Sequence, residues 1–281
     1  MNRRAKGELV FLKLGGSLIS DKRKRRSFRT SVVRRVAREI HEVLDEKPGM
    51  RLLLAHGGGG FAHFPAAMFR TRDGVAGGGG WRGVAETRRG VAEMNRRVLD
   101  CFAKENLFPV LIPPCAGVMA EDGCVRRWDI TVIRQLLALG QMPMIHGDVV
   151  ADARREFTIA STEELFAFLA SRLKPNRIIL ACDVEGVYVS SRDRSSRRDV
   201  VPLISRGNIA EVRRVLTNPR LLTSKSVGCD VTGGMAAKVD GLWTLVRRRP
   251  GLEARIVSGL QPGIVRAALL GDAVGTAVRR A

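Results

Sequence analysis

Short runs of uninterrupted apolar residues recur along the chain, with longer stretches of helical periodicity between them, and this alternation most constrains the fold. Residues 9–12 (Leu-Val-Phe-Leu), 52–55 (Leu-Leu-Leu-Ala), 110–112 (Val-Leu-Ile), 143–145 (Pro-Met-Ile) and 178–181 (Ile-Ile-Leu-Ala) each predict a fully buried strand. Over 30–44, Val32, Val33, Val36, Ile40, Val43 and Leu44 repeat at the spacing of one helix face, and further helices are predicted over 84–104 and 130–139. Strands apolar on both faces and joined by helices call for a mostly parallel sheet covered on either side. The expected class is α/β, a three-layer αβα sandwich with a mostly parallel central sheet.

With 281 residues the chain can bury a proper core, and we expect a single domain over 1–281, with lobes of about 1–170 and 171–281. No apolar run approaches the roughly 20 residues of a membrane helix. The basic start is followed by too short an apolar stretch for a signal peptide, so no membrane association and a cytoplasmic location are expected. Cys101, Cys115, Cys124, Cys182 and Cys229 form no C-x-x-C pair, which argues against a zinc site or a disulfide framework. The net charge of +20 could mark a nucleic-acid binder, but aromatic residues make up only 5% of the chain and the basic residues are dispersed. We read the charge as a solvated surface that attracts phosphorylated substrates, with no specific nucleic acid as partner.

Glycine-rich turns follow several of these strands. Lys13-Leu14-Gly15-Gly16-Ser17 closes the first strand, where open α/β sheets bind ligands, and its glycines let backbone N–H groups approach phosphate oxygens. It is not a P-loop, since G-x-x-x-x-G-K-[ST] is absent. His56-Gly57-Gly58-Gly59-Gly60-Phe61-Ala62-His63 follows the second strand and leaves bare backbone against which a polyanion can lie. The segment 230–238 (Asp-Val-Thr-Gly-Gly-Met-Ala-Ala-Lys) enters a helix predicted to run to about Val246, with Thr232 as N-cap and Lys238 inside its second turn, a ready anion site. His146-Gly147-Asp148-Val149-Val150 closes another strand, where Asp148 could orient a lysine or simply form a turn. Residues 74–80 and 190–199 read as surface loops.

Taken together, these segments resemble the amino-acid kinase superfamily and, within it, the isopentenyl phosphate kinase family. The match runs in order along almost the whole chain, through Asp21-Lys22, Ala85-Glu86-Thr87, Met94-Asn95, Phe157-Thr158-Ile159 and 183–188 (Asp-Val-Glu-Gly-Val-Tyr) as well as the turns above. The resemblance implies the amino-acid kinase fold, ATP as co-substrate with Mg²⁺, isopentenyl phosphate as acceptor and a homodimer. It implies that Lys13 and Lys238 hold ATP phosphates and that Lys22 stabilises the transition state. Gly15, Gly16 and Ser17 would cradle the nucleotide phosphates, with Gly59, Asp183 and Gly234 along the nucleotide. Gly58, His63, Gly147 and Asp148 would form the acceptor side, His63 binding the acceptor phosphate. No carboxylate cluster suggests a dedicated metal cage, so no metal-ligating residue is assigned.

The chain departs from the family pattern at Gly60 and Ala62, at Ala236-Ala237, and at 161–164, where Ser-Thr-Glu-Glu replaces a Ser-Gly-Asp-Asp type sequence and makes Glu163 the candidate lysine-orienting carboxylate. A fosfomycin-type antibiotic kinase shares the fold and the loop-ending histidine, but 146–150 and 230–235 look more like the isopentenyl phosphate pattern. A reading from another class is a basic nucleic-acid-binding or regulatory protein that keeps the fold without activity. Retention of Lys13, Lys22, His63 and Lys238 weighs against it.

Overall fold

A computed structural model describes residues 7–21, 24–77, 80–189, 199–218 and 234–280. Lys22, the proposed N-cap Thr232 and the segment 190–198 lie outside the described residues.

The strands are β1 (Leu9–Leu14), β2 (Arg51–His56), β3 (Val110–Leu111), β4 (Met119–Glu121), β5 (Cys124–Arg127), β6 (Pro143–His146), β7 (Asp148–Asp152), β8 (Glu156–Ala160), β9 (Arg177–Cys182), β10 (Tyr188–Val189), β11 (Asp199–Val200), β12 (Leu203–Ile204), β13 (Glu253–Ser258) and β14 (Thr276–Val278). The helices are α1 (Gly16–Ile19), α2 (Thr30–Glu46), α3 (Gly59–Met68), α4 (Gly80–Ala103), α5 (Thr131–Ala138), α6 (Thr162–Leu173), α7 (Ile209–Thr217), α8 (Gly234–Arg248) and α9 (Ile264–Leu270).

The central sheet runs β12-β14-β13-β9-β1-β2-β6-β3. Every pairing in it is parallel except β13 with β14. Alternation along β1 sorts its side chains to two sides. Leu9 and Phe11 join Leu53, Ile145, Ile133, Phe166 and Trp243 in one core layer, beneath α5, α6 and α8. Val10, Leu12 and Leu14 join Leu54, Val36, Ile40, Met94 and Val265 in the other, beneath α2, α4 and α9. Each large side chain buried in this way contributes about 1.5–3 kcal/mol of transfer free energy. The alternation has a functional consequence: Lys13 continues the Leu9–Phe11 face and so points toward α6.

A second sheet, β5-β4-β7-β8, was not anticipated from the sequence. Gly147 separates β6 from β7, so the segment 146–150 does not close one strand but passes from the central sheet into the smaller one. The glycine-rich segment after α3 also differs from the expected surface loop. Residues Thr71–Gly77 form a 3₁₀ turn, in which Gly74 takes φ +70° and a Cβ there would come 2.4 Å from the Arg155 carbonyl oxygen.

Candidate active site

Strand register assembles the site. Leu14 pairs with His56 on one side and Ala181 on the other, and His56 pairs in turn with His146. The chain therefore leaves β9, β1, β2 and β6 at one edge of the sheet, delivering residues 182–183, 15–17, 57–63 and 147–148 side by side. Backbone bonds stitch the exits together: Gly15 N–H donates to Ala181 O (2.8 Å), Gly57 N–H to Leu14 O (3.0 Å) and Gly147 N–H to His56 O (3.3 Å).

The glycines are needed for that approach. A Cβ on Gly16 would lie 2.8 Å from the Gly59 nitrogen, and one on Gly57 would lie 2.8 Å from the Gly16 nitrogen. Gly59 has φ +49°, and its Cβ would collide with Ser20 Oγ and Met94 Cε. The loop is not slack: α3 begins at Gly59, with Gly58 as its N-cap, so His63 sits just beyond the first turn of a helix.

Lys13, only 6% exposed, meets Glu163 at the start of α6, with Nζ 2.5 Å from Oε1. Ser161 caps α6 in a reciprocal capping box: its Oγ accepts from Glu164 N–H (3.2 Å), and Glu164 Oε2 accepts from Ser161 N–H (2.6 Å). Burial lowers the Lys13 pKa and the neighbouring Lys238 lowers it further, while Glu163 acts in the opposite sense. Burial alone would raise Glu163, but Lys13 and Lys238 outweigh it and bring its carboxyl down to about 2. Glu163 is thus the ionised partner that opposes the loss of charge on a buried lysine. Lys238, in the second turn of α8, also donates to Gly234 O at 3.2 Å.

Two further expected residues meet directly, Ser17 Oγ donating to Asp183 Oδ1 at 2.7 Å. One cleft is lined by Lys13, Gly15, Gly16, Ser17, Gly58 and His63, together with Gly147, Asp148, Glu163 and Lys238. Ala62, Ala66, Thr87, Val91 and Ile159 give part of its wall an apolar character. Gly59 lies in the helix start behind it. Lys22 is the one site residue outside the described segments.

Asp148 is nearly buried, and its carboxylate is occupied by backbone, accepting from Val149 N–H (2.9 Å) and Cys115 N–H (3.2 Å). Burial raises its pKa. This carboxylate braces the 3₁₀ turn Pro114–Ala116 against β7 rather than orienting a lysine, a task the geometry gives to Glu163. On the adjacent strands β2 and β6, His56 and His146 lie with ring centroids 5.4 Å apart and ring planes tilted by 41°. Burial lowers both to about 4, so they are neutral at ordinary pH. His56 Nε2 lies 3.1 Å from Asn95 Oδ1.

The sequence did not single out Arg72, Val91 or Cys182, and it gave Thr87 and Ile159 only within segments of the family resemblance, with no place in the cleft. Only a strand assignment for 156–160, with its alternation, could have placed Ile159. No grouping of three or more His, Cys, Asp or Glu able to hold a metal ion occurs among the described residues, and none of their helices is long and apolar enough to cross a membrane.

The sequence profile of the amino acid kinase family matches residues 8–258. The chain is 31% identical over 273 residues to the isopentenyl phosphate kinase of Methanothermobacter thermautotrophicus, covering 95% of this chain and 97% of that protein. It is 30% identical over 276 residues to the isopentenyl phosphate kinase of Methanocaldococcus jannaschii, covering 96% and 98%. An X-ray structure of an isopentenyl phosphate kinase superposes with a TM-score of 0.77 at 28% identity, covering 96% of this chain and 99% of the other. The chain belongs to the amino acid kinase family and, within it, to the isopentenyl phosphate kinases.

Proposed function

We propose that the protein transfers the γ-phosphoryl group of ATP to isopentenyl phosphate, giving isopentenyl diphosphate and ADP. The observation that carries this reading is His63, set beside bare glycine backbone in the cleft that also holds Lys13, Glu163 and Lys238.

An oxygen of the acceptor phosphate attacks the γ-phosphorus, the bond to the β–γ bridging oxygen breaks, and ADP leaves with that electron pair. The attacking oxygen is already ionised, so no side chain has to remove a proton; positioning and positive charge dominate. Lys13 and Lys238 face the transferring group, and Glu163 aims Lys13 and favours its charged form against burial. Lys22 is assigned to the transition state through the family resemblance. Gly15, Gly16, Ser17, Gly59 and Gly234 offer main chain to the nucleotide, with Asp183 fixed by Ser17. His63, with Gly58 and Gly147, serves the acceptor phosphate, and the Ala62–Ala66–Val91 wall suits an apolar prenyl tail.

Mg²⁺ would arrive on the nucleotide and draw negative charge from its phosphate oxygens. The donor set fits a cation carried that way: the cleft is rich in cations, Glu163 is engaged by Lys13, and the exposed Asp183 is the carboxylate on the nucleotide side. A cytoplasmic homodimer is the setting the family resemblance supports.

A coupled ADP-release assay over isopentenyl phosphate, dimethylallyl phosphate, fosfomycin, acetylglutamate and uridine monophosphate tests the assignment. Isopentenyl phosphate should exceed fosfomycin at least tenfold in kcat/KM, about 1.4 kcal/mol of transition-state binding. A better kcat/KM for fosfomycin would overturn the substrate while leaving the family intact.

A further inference from the structure

Arg72 lies on the 3₁₀ turn after α3, and its surroundings fix it on several sides. Its carbonyl oxygen accepts from Thr158 Oγ1 of β8 at 2.9 Å, and the preceding Thr71 Oγ1 lies 3.3 Å from Thr87 Oγ1 of α4. Its Nη2 donates to Glu164 Oε1 at 2.7 Å, the same carboxylate that closes the capping box of α6. Adjacent carboxylates on α6 thus each hold one cation of the cleft wall, Glu163 taking Lys13 and Glu164 taking Arg72. The other terminal nitrogen of Arg72, Nη1, is buried without a hydrogen-bond partner among the described residues, although Arg72 lines the cleft.

A buried guanidinium N–H with no acceptor is costly, and native proteins seldom leave one without a reason. A guanidinium presents donors along more than one edge, so one edge can be held by a carboxylate while another receives a planar or tetrahedral oxyanion. Glu164 immobilises the group in advance, which reduces the ordering cost of binding. The location is on the acceptor side: Arg72 is bonded to β8 and to the α6 start, and Gly147 lies against that same start, since a Cβ there would be 3.5 Å from Thr162 N.

We propose that Arg72 is a second anion anchor for the phosphomonoester acceptor, held by Glu164 so that its part-exposed guanidinium takes an acceptor phosphate oxygen. The assignment rests on the function proposed above and adds a specificity-determining residue to it. It makes the cleft select for a charged acceptor over the corresponding alcohol.

Calorimetric titrations of isopentenyl phosphate, isopentenol and a non-hydrolysable ATP analogue into wild type, Arg72→Ala, Arg72→Lys and Glu164→Gln test it. Arg72→Ala should weaken isopentenyl phosphate at least tenfold, leave isopentenol and nucleotide within about twofold, and shrink the preference for the phosphate. Arg72→Lys should recover part of the loss. Glu164→Gln leaves the Arg72 charge in place but loosens its hold, should weaken the phosphate severalfold, and serves if Arg72→Ala does not fold. Unchanged phosphate affinity in Arg72→Ala, or a parallel loss of phosphate, alcohol and nucleotide binding, overturns the anchor. If wild type binds no isopentenyl phosphate, the substrate assignment fails separately. Inorganic phosphate in the same titration then decides the anchor, which stands if Arg72→Ala weakens it and falls if the two proteins bind it equally.

Discussion

The Lys13 ammonium lies 2.5 Å from the Glu163 carboxylate, joining the last turnward residues of β1 to the first turn of α6 at the wall of the cleft. Because Glu163 raises the pKa of a lysine that burial lowers, Glu163→Gln should move the alkaline limb of the kcat–pH profile to lower pH. We expect kcat at neutral pH to fall about tenfold or more. The glutamate carboxyl is held at about 2 against an ordinary 4.5, so its stabilising contribution is full above 4.5 and is lost as pH falls through 2. Unfolding followed across that window should be less steeply pH-dependent in Glu163→Gln than in wild type. An unmoved alkaline limb would separate Glu163 from the chemistry.

Lys13→Ala and Lys238→Ala should each lower kcat by about two orders of magnitude or more, as removal of preorganised charge does. Lys22→Ala should act on kcat more than on KM, because its assigned role belongs to the transition state. Steady-state kinetics on folded preparations decide this, and a wild-type kcat in any of the three removes that lysine from the mechanism.

His56 and His146 supply a different pH dependence. Both are lowered to about 4 from an ordinary 6.5, so the unfolded chain takes up protons that the folded chain refuses between those values. Stability is full above 6.5 and declines as pH drops toward 4, with a limiting slope of about 1.4 kcal/mol per pH unit for each histidine. Urea unfolding at several pH values should show this decline and a shallower one in His146→Gln. Equal slopes in the two proteins would contradict the burial of a neutral imidazole.

Gly59→Ala should destabilise the protein by roughly 2 kcal/mol or more, since it combines a left-handed φ with collisions against Ser20 and Met94. Gly140→Ala is the control: φ is +73°, but no atom lies within 4 Å of the added Cβ, so only the backbone strain of about 1 kcal/mol remains. Thermal melts of the two variants should differ in that order. Equal losses would mean that the close approach of the glycine turns has little energetic weight.

What was legible in the sequence follows from the kind of signal each element leaves. Strands β1, β2, β6 and β9 are buried on both faces and so appear as unbroken apolar runs. The helices α2 and α4 bury one face, and their periodicity located them to within a few residues. By contrast β4 and β5 are three and four residues long, β4 half-buried and β5 largely exposed, with charged residues such as Glu121 and Arg127, and leave no comparable pattern. The glycine turns and their lysines were recognisable by composition. Glu163 could be named only as a candidate, although the Ser161-x-x-Glu164 spacing marks a helix start and would have put Glu163 in its first turn. Arg72 had no signal, because its role depends on a turn brought against β8 and α6 by tertiary packing alone.

The role of His63 carries the functional account, and the most direct test pairs kinetics with nucleotide binding on one preparation of His63→Ala. We expect kcat/KM for isopentenyl phosphate to fall at least a hundredfold, a gap of about 2.7 kcal/mol, while ATP affinity stays within a few-fold. His63→Gln, which keeps a neutral donor, should recover part of the activity. An unchanged kcat/KM in folded His63→Ala would contradict the assignment of the acceptor phosphate to this histidine.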